Sequence, residues 1–81
     1  MTKAEYMTFK MAIKEIDGLL LSGYHKDGEQ VHIAGNAWWI QYLKNTTNSN
    51  VITVEWNPQR GLYIVTKNNK IIKEWNYEKM Y

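Results

Sequence analysis

His25 and His32, with Asp27 and Glu29 between them, are the one cluster in the chain that brings imidazoles and carboxylates within a few residues of each other. A metal needs three or four such ligands converging at about 2 Å, and acid–base work needs its groups held on a rigid frame. The stretch His25-Lys26-Asp27-Gly28-Glu29 reads as a turn, whose tip would splay these side chains apart. They are therefore expected to be ordinary surface residues, with no metal bound. Nucleophilic catalysis has no visible machinery: cysteine is absent, and Ser22 and Ser49 lie in neither a G-x-S-x-G nor an S-x-x-K context. The remaining carboxylates are scattered, and the 5 glycines are too far apart for a phosphate-cradling loop or a dinucleotide fingerprint. The expectation is a protein that is not an enzyme and carries no cofactor.

Binding chemistry has more to work with. Arg60, Lys67, Lys70 and Lys73 surround Trp56, Tyr63 and Trp75 in the last third of the chain, and single-strand binders combine cations with aromatic platforms in this way. Glu55 and Glu74 lie among those lysines and would repel phosphate. The formal net charge of only +2 is mild for a dedicated nucleic-acid protein. Nucleic-acid binding is thus expected to be weak.

These residues must be positioned by a small set of elements. Thr2 and Glu5 fit a capping box, and Tyr6, Phe9, Ile13, Ile16 and Leu20 follow at helical spacing, which predicts an amphipathic helix over about 2–17. Gly18 would end it as a left-handed residue. The Asp27-Gly28 pair between two apolar runs predicts a hairpin over about 19–34, with a helix continuing through Leu21 as the competing reading. Trp38 to Leu43 is aromatic and branched, and predicts a strand over about 37–44, with a two-turn helix capped by Asn36 as the competing reading. Polar residues 45–50 form a loop, and residues 51–75 read as a three-stranded meander turning at Asn57-Pro58-Gln59-Arg60-Gly61 and at Asn68-Asn69. The predicted fold is α+β: one N-terminal helix packed on an antiparallel meander sheet of five or six strands.

If Trp56 pairs with Leu62, the face carrying Ile52, Val54, Trp56, Leu62, Ile64, Ile71 and Trp75 meets the helix. Tyr63, Val65 and Ile72 then cluster on the opposite face. Trp38 and Trp39 are adjacent, so only one of these rings can enter a one-sided core. Trp38, Trp39, Tyr63, Val65 and Ile72 are accordingly the expected partner-binding residues, because an outward apolar and aromatic patch marks an interface, with the first hairpin folding over the patch as the competing reading. Trp39, Tyr42, Asn45, Thr47, Thr53, Trp56 and Pro58 resemble, in residue type, the proline-peptide-binding WW module. The tryptophans stand closer together than in that family and the proline follows the second too soon, so its function is not carried over.

The chain has 81 residues, enough for one domain. With no disulfide available, its core must come from aliphatic and aromatic side chains, and aromatics make up 14% of the sequence. The polar N-terminus and the lack of a long apolar run predict a cytoplasmic protein without a membrane partner. Nine Lys against one Arg, with eight Asn, suggest AT-rich codons and hence a low-GC bacterium or a phage. The functional expectation is a small non-enzymatic protein-binding module, in concrete form a phage or mobile-element inhibitor or adaptor of a host protein. A single-stranded nucleic-acid-binding protein and a homodimeric assembly subunit are the alternatives.

Overall fold

Helix α1 spans Lys3–Leu21, and five strands follow: β1 (Tyr24–His32), β2 (Trp38–Asn45), β3 (Val51–Asn57), β4 (Leu62–Lys67) and β5 (Lys70–Asn76). They form one antiparallel sheet in the order β1-β2-β3-β4-β5, so the α+β meander expected from the sequence is the observed architecture, with five strands. The computed structural model describes residues 3–32, 38–58 and 61–76. Thr2 of the capping box, Ile33 and Ala34 of the expected hairpin, Arg60, and residues 77–81 lie outside the described residues.

The helix runs past Gly18 and ends instead at Gly23, whose φ of 93° is the left-handed geometry that glycine accepts without strain. The Ser22 N–H donates to the Leu19 carbonyl at 3.0 Å, and its hydroxyl donates to the Gly18 carbonyl at 2.9 Å, closing the last turn. A glycine inside a helix costs about 1 kcal/mol relative to alanine. Continuing through Gly18 brings Leu19 against the core, which offsets that cost.

Asp27-Gly28 does not turn the chain. β1 runs straight through the pair, and its register against β2 shifts there: Lys26 lies opposite Leu43, but Glu29 lies opposite Gln41. Two residues therefore oppose Tyr42 alone, a β-bulge in which Gly28 takes a φ of 99°. A left-handed glycine serves a tight turn and a bulge equally well, and here the bulge replaces the hairpin expected over 19–34. The Gln41 side-chain amide donates to the Gly28 carbonyl at 2.9 Å, satisfying a group that the bulge takes out of the ladder.

The other connections are polar and self-bonded. In the β2–β3 loop the Asn45 Oδ1 accepts the N–H groups of Thr47 and Asn48 at 2.8 and 3.3 Å. Asn68 and Asn69, with φ of 50° and 71°, make the expected two-residue turn between β4 and β5, Asn being one of the few residues that tolerates this geometry. The β3–β4 loop differs from expectation by one residue. Asn57 joins the strand and pairs with Leu62, so Trp56 lies opposite Tyr63 rather than Leu62. A shift of one residue exchanges the faces of a strand.

The core forms between α1 and one face of the sheet, from Ala12, Ile16, Leu43, Ile52, Val54, Tyr63 and Val65, with Trp39, Trp56 and Trp75 packed around them. The helix is rotated relative to the apolar spacing in its sequence. Among its described side chains Thr8, Ala12 and Ile16 are buried, whereas Tyr6, Ile13 and Leu20 are exposed. Small Thr8 and Ala12 let the helix approach a sheet surface already carrying large rings, where Ile13 and Leu20 would hold it off. The Trp56 indole N–H then donates to the Thr8 hydroxyl at 2.7 Å, with Phe9 stacked obliquely on the same ring at 4.9 Å.

Candidate partner-binding surfaces

The imidazole and carboxylate cluster is strung out along β1. With the bulge in place of a turn, His25 lies opposite Lys44 and His32 opposite Trp38, on the order of 20 Å apart at about 3.3 Å per strand residue. His32 stacks on Trp38 at 4.1 Å between ring centres. Glu29 accepts the Trp39 indole N–H at 3.0 Å. Among the described residues no group of three or more His, Asp or Glu side chains could hold a metal ion.

The partner-binding residues expected from the sequence separate once the register is known. Tyr63 and Val65, 5% and 1% exposed, belong to the core beneath α1, which corrects their placement on an outer surface. Trp39 also turns inward, leaving Trp38 as the outward ring of the pair. Ile72 is the extra residue of a second bulge, between the pairs Val65–Lys73 and Thr66–Ile71, and is 50% exposed. The four-residue spacing from Pro58 to Gly61 is what reverses the assignment, because it, rather than the apolar pattern of β4, sets the strand's register.

The face turned away from α1 is built from residues that the apolar reading had assigned to the core or passed over. Across the strands Gln30, Ile40, Glu55, Ile64 and Glu74 form one row, with Tyr42, Thr53, Thr66 and Ile71 beside it. Trp38 and Leu62 share this face by strand alternation. The Tyr42 hydroxyl donates to Gln30 at 3.2 Å, and the Thr53 and Thr66 hydroxyls bond to each other. No described element packs on this side as a second layer. Glu55 stands between Ile40 and Ile64, and burial raises its carboxyl above the ordinary 4.5. The signal in the sequence was the run Leu62-Tyr63-Ile64-Val65, which is apolar at every position and so furnishes both faces.

Lys67, Lys70 and Lys73 fall on the helix side of the sheet, since Lys67 and Lys70 continue the row of Ile52, and Lys73 lies opposite Val65. Lys73 pairs with Glu15 of α1 at 2.8 Å. Desolvation pushes the Tyr63 phenol well above its usual range, with the Glu15 charge and a hydrogen bond to that carboxylate adding to the shift.

The chain matches no protein-family model, no curated protein and no solved structure. No described helix is long and apolar enough to cross a membrane. Among the described residues two surfaces are candidates for binding: the apolar face of the sheet on which no described element packs, and the lysine-bearing side of the β4–β5 hairpin.

Proposed function

We propose that this is a small non-enzymatic protein-binding module whose partner seats on the sheet face opposite α1. The observation that carries the reading is the apolar set Trp38, Tyr42, Leu62 and Ile64, each half-buried beside buried Ile40, on a face where no described element forms a second layer. The occupant has an apolar surface with a basic side chain at its centre. Glu55 is partly stripped of water among isoleucines, with its carboxyl raised for that reason, and a cation delivered from a partner would favour its charged form. Large apolar and aromatic side chains near the middle of a patch usually hold most of the binding energy. In biological form this is a cytoplasmic protein that blocks or adapts a host protein, as a phage or mobile-element product does; the lack of cysteine and the Lys and Asn bias support that form.

The test is affinity capture from a low-GC bacterial lysate, with and without nuclease, using the parent and Ile64→Lys, alongside light scattering of the purified chain. A proteinaceous partner retained by the parent after nuclease and lost by a well-folded Ile64→Lys variant is the expected result. Capture that vanishes with nuclease would favour single-stranded nucleic acid. A parent that is dimeric, with an Ile64→Lys variant that is monomeric, would make the occupant a second copy of the chain. Full retention by Ile64→Lys would remove this face from consideration.

A further inference from the structure

Between α1 and the β4–β5 hairpin lies a groove of about 460 Å³, lined by Met11, Lys14, Glu15 and Gly18 from the helix and by Tyr63 and Lys73 from the strands. That size is within the range of sites that enclose a ligand or a few side chains. Gly18 is the residue that packing does not explain. Glycine weakens a helix, and its usual justifications are a close neighbour or a left-handed backbone. Neither applies, because a methyl group at Gly18 would meet nothing within 4 Å and the residue lies inside α1. The absent side chain leaves the groove open.

The charges around the groove are unevenly satisfied. Glu15 is engaged by Lys73 at 2.8 Å and by the Tyr63 hydroxyl. Lys14, Lys67 and Lys70 have no ion-pair partner among the described residues. Register places Lys67 and Lys70 on the same side of the sheet as the groove, leading from Lys73 toward the turn at Asn68-Asn69. Cations laid out in a line complement an extended chain of negative charges better than a single anion.

We propose that this groove receives an extended acidic segment of a partner protein, with one apolar side chain entering beside Met11 and Gly18 and neighbouring carboxylates meeting Lys14, Lys70 and Lys67. A protein segment fits better than nucleic acid. The Tyr63 ring, 5% exposed, offers no face for a base to stack on. The site lies across the sheet from the apolar face and does not depend on it. With both surfaces occupied, the molecule would join two proteins.

Fluorescence anisotropy on the full chain tests this with three labelled probes: a peptide alternating Glu with Leu, the same peptide with Lys for Glu, and an oligothymidylate of equal length. The Glu-Leu peptide is expected to bind and to weaken as salt rises. It should lose about tenfold or more in affinity against Gly18→Leu, which fills the groove, and against Lys14→Glu combined with Lys70→Glu. Gly18→Leu should melt no lower than the parent, because leucine favours the helix, so its loss of binding cannot be laid to unfolding. Ile64→Lys should leave the peptide's affinity unchanged. Failure of the peptide to bind the parent, equal binding by Gly18→Leu, or equal binding by the Lys-Leu peptide overturns the proposal. Tighter binding of oligothymidylate overturns it too, assigning the groove to single-stranded nucleic acid, and each of these results leaves the reading of the outer face intact.

Discussion

Thr8 and Trp56 meet where the helix touches the sheet, and Thr8→Val removes the hydroxyl that accepts the indole N–H at 2.7 Å while keeping the shape of the side chain. Thr8 is 0% exposed, so no solvent replaces its oxygen from that side. A buried donor left without a partner costs about 1–3 kcal/mol, and Trp56 is only half-buried, which places this case in the lower part of that range, about 1–2 kcal/mol. For a domain of this size each kcal/mol lowers the melting temperature by about 4–8 °C, so a fall of about 4–16 °C is expected. The assay is a double-mutant cycle by thermal or urea melts, with Trp56→Phe as the second change. Phenylalanine keeps a ring against Phe9 but has nothing to donate. In that background Thr8→Val should cost under about 0.5 kcal/mol, leaving a coupling of about 1 kcal/mol. A coupling near zero would refute the reasoning and reduce the 2.7 Å contact to coincidental packing.

Other changes probe other parts of the structure. Ile16→Ala opens a cavity under the helix and should cost about 2–4 kcal/mol by denaturant melts. Tyr63→Ala should be similarly or more severely destabilising, about 3–5 kcal/mol, whereas Ile64→Lys on the opposite face should leave the fold intact, as near-ultraviolet circular dichroism would show. Gly23→Ala forces a side chain into a φ of 93° and should lower stability by about 1 kcal/mol or more. Glu55 binds its proton more tightly folded than unfolded, so its contribution to stability is greatest below the ordinary 4.5 and is lost as pH rises through the raised folded value. Melts of the parent and Glu55→Gln across that window should therefore converge at acid pH and diverge above it, with the glutamine variant the more stable.

The positions of most elements could be read from the sequence, while the faces they present could not. The helix, the strand at Trp38 to Asn45 and the turn at Asn68-Asn69 follow from periodicity, branched and aromatic content, and the tolerance of asparagine for left-handed backbone. Gly18 and Asp27-Gly28 misled because each marks where the chain could bend, not where it does. The bend fell at Gly23, and Gly28 became a bulge inside a strand. The rotation of α1 was hidden because the sequence shows which residues are apolar but not how much room the facing surface leaves. Three tryptophans and Tyr63 on the sheet made small Thr8 and Ala12 the right residues to bury. The candidate surfaces depend on the same register: Trp38 faces away from the core as one ring of the adjacent pair had to, whereas Ile40, Tyr42 and Ile64 joined that face only with the strand pairing.

Leu62-Tyr63-Ile64-Val65 could bury either of its two faces at similar gain, so the strand does not encode its own orientation. The orientation is held by the connections at its ends: the loop from Pro58 to Gly61, and the asparagine turn into β5. Substitutions along β4 would then alter how well the molecule packs, while loss or gain of one loop residue would exchange what it hides for what it shows. Length variation between Asn57 and Leu62 is thus a route by which a related chain could keep its composition and acquire a different binding face in a single genetic step.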